Sequence, residues 1–220
     1  MTNIQIYQII LLFVVLVISI FGMLRMFKKQ VPMYFILYIC GVWCFTIGIT
    51  YISLIQLCKE VYNEVNSLGF LGTGGMFAFF ATANFGEFNN LIEKPEKIHL
   101  IRVLSFIPAL LVTAVIVMQT VYMHVTVFNI FTLALAMFPI PFCVYFSIKF
   151  LLMKSNGDER LTAIKPLNFC TLLICIGILF YNHFYITNND NGMYITFGIY
   201  SVCILAEVFL ADWGRKKWQS

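Results

Sequence analysis

MYFILYICGVWCFTIGITYISLIQL, residues 33–57, carries no charged side chain from Met33 to Leu57, and it lies between Lys28 and Lys29 on one flank and Lys59 on the other. A helix needs about 20 apolar residues to cross the hydrocarbon core of a bilayer, so this stretch is long enough to span. Stretches of the same kind recur on both sides of it. The full set is Ile4–Leu24, Met33–Leu57, Leu68–Asn90, Ile101–Tyr122, Val127–Leu152, Leu167–Ile186 and Met193–Trp213. The pattern predicts an all-α, polytopic membrane protein, a bundle of seven transmembrane helices forming a single domain over 1–220.

Composition agrees with that prediction. The chain is 61% hydrophobic and 11% charged, with a mean hydropathy of +0.89, whereas about a quarter of the residues of a soluble domain are charged. The basic residues give the orientation. Of 14 Lys and Arg, Lys59 alone falls on a connector of one parity; Arg25, Lys28, Lys29, Lys94, Lys97, Arg102, Lys149, Lys154, Arg160, Lys165, Arg215, Lys216 and Lys217 fall on the other. Positive charge marks the cytoplasmic side, which places the N-terminus outside and the C-terminus in the cytoplasm. The first span has no basic residue before it and three after it, the pattern of a retained anchor rather than a cleaved leader. The formal charge of +4 reflects this anchoring and forms no basic stripe, so nucleic acid is not an expected partner.

Within the spans, ionisable residues carry the most functional weight, because a charge at the bilayer centre costs at least ~2.5–3.5 kcal/mol. At 1.5 Å per residue, Glu207 lies about 21 Å below the outer boundary and Glu87 about 29 Å down, with Asn84 close to the level of Glu207. Thr196, Tyr200, Cys203 and Glu207 repeat at helical spacing and form a polar stripe that should turn into the bundle. The candidate ligand or proton site is therefore Glu207, Asn84, Glu87 and Tyr200. Two plainer readings stand beside it: Glu207 as a hydrogen-bonded clasp, and Glu87 as a side chain reaching the cytoplasmic headgroups. Asp212, just ahead of the basic tail, is expected to pair with Arg215 or Lys216.

A second polar layer lies near the outer face, where Asn182 and His183 end the sixth span, Gln119 and His124 the fourth, and Gln56 the second. These residues can ring an outward pocket, or sit at headgroup level among the aromatic belt. Pro139 and Pro141 in MFPIPF each remove a backbone donor and predict a kink or hinge in the fifth span. In LGTGGMFAFFATANFG, residues 71–86, the small residues suit close helix packing or a loosened helix lining a cavity. Lys29, Pro32 and Phe35 at the opening of the second span and Lys165, Pro166 and Phe169 at the opening of the sixth hint at a three-plus-one-plus-three repeat.

No chemistry-bearing motif accompanies these features. The seventh span has no lysine for a retinal Schiff base, and HExxH, GxSxG and a glycine-rich phosphate loop are absent. The seven cysteines form no CxxC, and Cys40 and Cys44, one turn apart, suit core filling better than a dithiol relay. No metal and no cofactor are expected, and an enzyme is the weaker expectation. The sequence points to a ligand-sensing or partner-binding bundle, receptor-like or accessory, in the cell membrane. Its expected partners are membrane lipid, another membrane protein and a small molecule. The alternative is a small-solute or proton-coupled transporter with its site near Asn84 and Glu207.

Overall fold

The computed structural model describes residues 3–27, 31–58, 66–88, 98–122, 127–154 and 159–218, and these are helical with short turns and no strand among them. The helices are α1 (Asn3–Met26), α2 (Met33–Cys58), α3 (Asn66–Ala83), α4 (Ile98–Tyr122), α5 (Val127–Met137), α6 (Ile140–Leu152), α7 (Glu159–Ile186) and α8 (Asp190–Trp218), and a π-helical segment, Asn84–Phe88, continues α3. Five stretches are long and apolar enough to cross a membrane: Met33–Ile55, Ile98–Tyr122, Phe131–Leu152, Glu159–Ile186 and Asn191–Lys217. Leu12–Met26 is a shorter apolar stretch. Large apolar side chains such as Phe13, Ile47, Leu111, Phe131 and Val202 are exposed on the outside of the helices. Soluble monomers rarely show so much of this surface. The architecture is that expected of a multi-pass integral membrane protein.

Neighbouring helices trace a ring in which α1 packs on α2, α2 on α3, α3 on α5 and α6, α6 on α7, α7 on α8, and α8 back on α1 and α2. The interior is filled mainly by aromatic and branched side chains, among them Tyr38, Phe77, Phe80, Ile140 and Phe150. Tyr38 and Phe80 stack with centroids 4.5 Å apart, tying α2 to α3. A hydroxyl pair, Ser19 Oγ and Thr46 Oγ1 at 2.7 Å, joins α1 to α2. Helix α4 stands outside the ring against α6 and α7, and only Ser105 and Ala109 along it are buried.

The closest backbone approach is between α2 and α3, and glycine permits it. A Cβ built on Gly72 would fall 2.5 Å from the Cys44 carbonyl oxygen and 2.7 Å from Gly48 Cα, while one on Gly48 would meet the Gly69 carbonyl. On the other side of α3, a Cβ on Gly74 would lie 2.6 Å from Ala136 Cα of α5. Helix α3 is thus wedged between two neighbours by glycines on both flanks. Of the two readings of residues 71–86, close packing describes the helix up to Ala83, and the ladder departs from α-helical form at Asn84.

Three boundaries differ from expectation. The fifth span is two helices, because Pro139 and Pro141 cannot donate to the carbonyls of Leu135 and Met137, and the chain turns at Phe138–Pro139 before Cys143 N–H restarts the ladder on the Pro139 carbonyl at 3.1 Å. The sixth expected span begins at Glu159 rather than Leu167. Glu159 stands in the first turn, where its charge complements the positive end of the helix dipole, and Pro166 sits inside the helix at the loss of one bond. Since Pro32 precedes α2 and Pro166 lies within α7, the two Pro–x–x–Phe motifs are not at equivalent positions, which weakens the repeat. Helix α8 runs on through the basic residues to Trp218, where they complement the dipole at its C-terminal end.

Candidate functional site

The α8 stripe turns inward as its spacing predicts, with Thr196, Tyr200, Cys203 and Glu207 all buried. Its upper part is occupied. Thr196 donates to the Gly192 carbonyl at 2.8 Å, and the Tyr200 ring meets Phe45, Tyr181 and Phe197 edge-on at 5.2–6.3 Å. Two turns further along the helix, Glu207 is fully buried at 0% exposure. The Thr171 hydroxyl of α7 donates to Glu207 Oε1 at 2.6 Å, whereas Oε2 accepts no hydrogen bond from the described residues.

Tyr38 of α2 brings the other expected residue into the same centre. Its hydroxyl faces Glu207, Thr171 and Asn84 but closes no hydrogen bond with them. Asn84, also 0% exposed, opens the π-helical segment; its amide donates to the Phe80 carbonyl at 3.0 Å and its Oδ1 is unpaired. On α7, one turn from Thr171, buried Asn168 is arranged alike, with the amide on the Ile164 carbonyl at 3.1 Å and Oδ1 unpaired. Helices α2, α3, α7 and α8 therefore converge on a small polar centre that has more acceptors than donors. Leaving a buried polar atom unpaired costs about 1–3 kcal/mol, and π-helical segments are frequent at functional sites. Next to this centre the Cys143 thiol donates to the Phe77 carbonyl at 3.1 Å, and Cys175 neighbours both Cys143 and Glu207.

The remaining expected residues are dispersed. Tyr200 belongs to the aromatic cluster above the carboxylate rather than to its shell. Glu87 is in the π-helical segment by its backbone, but its side chain, like that of Gln56, lies outside the described residues, as does all of His124. Gln119 donates to the Leu179 carbonyl at 2.9 Å, tying α4 to α7. The Asn182 amide points at Met137 Sδ, 3.9 Å away, and His183 is exposed with its ring edge-on to Phe184. Gln119 and Asn182 thus serve helix-to-helix bonds, whereas His183 is exposed. At the other end of α8, Asp212 pairs with Arg215 at 2.7 Å and with Lys216 at 3.8 Å, as expected from the sequence. Arg215 is held over the Phe35 ring at 5.8 Å. Among the described residues no three His, Cys, Asp or Glu come together as a metal cluster.

Thr171 and Tyr38, with Asn168 one turn from Thr171 on α7, are the residues that sequence reasoning missed. A signal existed for two of them. Asn168, Thr171, Cys175 and Asn182 recur on one face of α7 and are all buried, a stripe parallel to that of α8. Tyr38 had none, being one of 11 tyrosines in an aromatic-rich chain. Comparison with protein-family models, with characterised proteins and with solved structures finds no match to this chain.

Proposed function

We infer that the chain is a single-domain, seven-helix membrane protein of the cell membrane, with its N-terminus outside and its C-terminus in the cytoplasm, acting as a ligand-sensing or partner-binding bundle with no catalytic domain of its own. The observation that carries this reading is Glu207, a fully buried carboxylate with one oxygen bonded to Thr171 and the other unpaired at the meeting point of four helices. A carboxylate is costly to keep in such a place, and a ligand or partner group that donates to Oε2 and to Asn84 Oδ1 would offset that cost. The break at Phe138–Pro139 and the π-helical segment supply places where a change at the centre can be accommodated by neighbouring helices.

The layout is testable by labelling. In a protein whose Cys58 is replaced by Ser, cysteines introduced at Asn189 and Lys154, both exposed, should react with impermeant maleimide from opposite sides, Asn189 from outside. Reaction of both from one side would refute the seven-span layout.

The second reading, a proton-coupled carrier, is favoured by one observation: the Tyr38 hydroxyl lies near both Asn84 and Glu207, the two residues such a carrier would use. Vesicles containing the purified protein, a pH-sensitive dye and an imposed proton gradient separate the two. A sensor is expected to leave the gradient as it is in protein-free vesicles. Proton flux lost in Glu207→Gln and Asn84→Ala would transfer the assignment to the carrier.

A further inference from the structure

Between α4 and the edge formed by α3, α5 and α6 lies a groove of about 1240 Å³, and its geometry is distinct from the polar centre. It runs along α4 from Arg102 to Val121, about 28 Å at 1.5 Å per residue, which is close to the thickness of the hydrocarbon core. Its walls are mainly long apolar side chains, including Phe106, Leu110, Phe138 and Phe142, with Ala81, Ala109 and Ala134 scattered over three different helices. The threonines among them offer no free donor, because Thr82, Thr113 and Thr120 each donate to a carbonyl of their own helix, those of Ala78, Ala109 and Ile116. Among the described residues Arg102 is the one charged residue of the lining. Among the described residues it makes no ion pair, and it stands at the end of the groove where α4 begins.

We propose that this groove binds an anionic membrane phospholipid, its headgroup phosphate on the Arg102 guanidinium and one acyl chain lying along α4 toward the break at Phe138–Pro139. The charge chooses the headgroup, since a guanidinium at a membrane surface attracts anionic lipid and matches phosphate with paired donors. The shape chooses the chain. An uneven apolar trough between Phe and Leu side chains suits a flexible hydrocarbon, whereas a docking helix packs on seams of small residues such as Gly48 with Gly72. From Arg102 the trough reaches Thr113 after about 16 Å, roughly the depth of one leaflet. Assigning that leaflet to the cytoplasmic side rests on the orientation inferred above; the binding itself does not.

Native mass spectrometry of the full chain in neutral detergent, titrated with phosphatidylglycerol or with phosphatidylcholine of the same chains, tests the proposal whichever way the protein is oriented. The wild type should bind phosphatidylglycerol about fivefold more tightly, the preference one basic residue gives at an anionic lipid surface. Arg102→Gln should bring the ratio to about one and Arg102→Lys should keep most of it. Thr113→Phe, which fills the trough from an exposed position, should weaken both lipids with an unchanged melting temperature. Equal binding of the two lipids by wild type, or an unchanged ratio in Arg102→Gln, would overturn the proposal. So would a wild-type dimer that Thr113→Phe dissociates, because the groove would then hold a second copy.

Discussion

Gly72→Leu should be among the most damaging single substitutions in the chain, with an expected loss of about 3 kcal/mol or more. Overpacking a core typically costs about 1–3 kcal/mol where side chains can move aside. At Gly72 the atoms in the way are the Cys44 carbonyl oxygen and Gly48 Cα, both backbone. Relief requires α2 and α3 to separate, and that would also disturb the Tyr38–Phe80 stack and the approach of Asn84 to the polar centre. Gly198→Leu is the matched control. It is a glycine in the middle of α8 with nothing within 4 Å of a built Cβ, so its melting temperature should stay near that of wild type. Equal melting temperatures for the two variants, measured in the same detergent, would mean that the α2–α3 seam is not the tight contact described.

Five of the expected spans were legible because a bilayer constrains sequence more strongly than water does. An uncharged run such as residues 33–57 has few other uses. Glu207 stood out for the same reason, as a carboxylate well inside an apolar helix, and its inward direction followed from the spacing of Thr196, Tyr200 and Cys203. The break near Pro139 could be anticipated from two missing donors. What could not be read was adjacency. Nothing in the periodicity of α2 or α7 says that they meet beside α8, so Tyr38 and Thr171 remained two unremarkable side chains among many. The start of α7 was misplaced because proline at a first helical turn is common, and an acidic residue seven positions earlier proved the better marker. The π-helical segment at Asn84 left no trace in the residue types, since it depends on how α3 is held by its neighbours.

Glu207 is the residue on which the functional account depends, and two substitutions separate its possible roles. Glu207→Leu removes the acceptor for the Thr171 hydroxyl at 2.6 Å and leaves a buried donor unpaired, an expected loss of about 1–3 kcal/mol. Glu207→Gln retains shape and an acceptor for Thr171 while removing the acid, so its melting temperature should remain within about 1 kcal/mol equivalent of wild type. If Glu207 is only a clasp, the glutamine variant should match the wild type in every respect. If its second oxygen serves a ligand or partner, the glutamine variant should fold normally and lose what the wild type holds. Native mass spectrometry of both proteins, purified in parallel from native membranes, measures this directly. The account predicts a bound small molecule or partner chain, one per protein, on the wild type and its loss from the equally stable Glu207→Gln; identical spectra from the two proteins would contradict it.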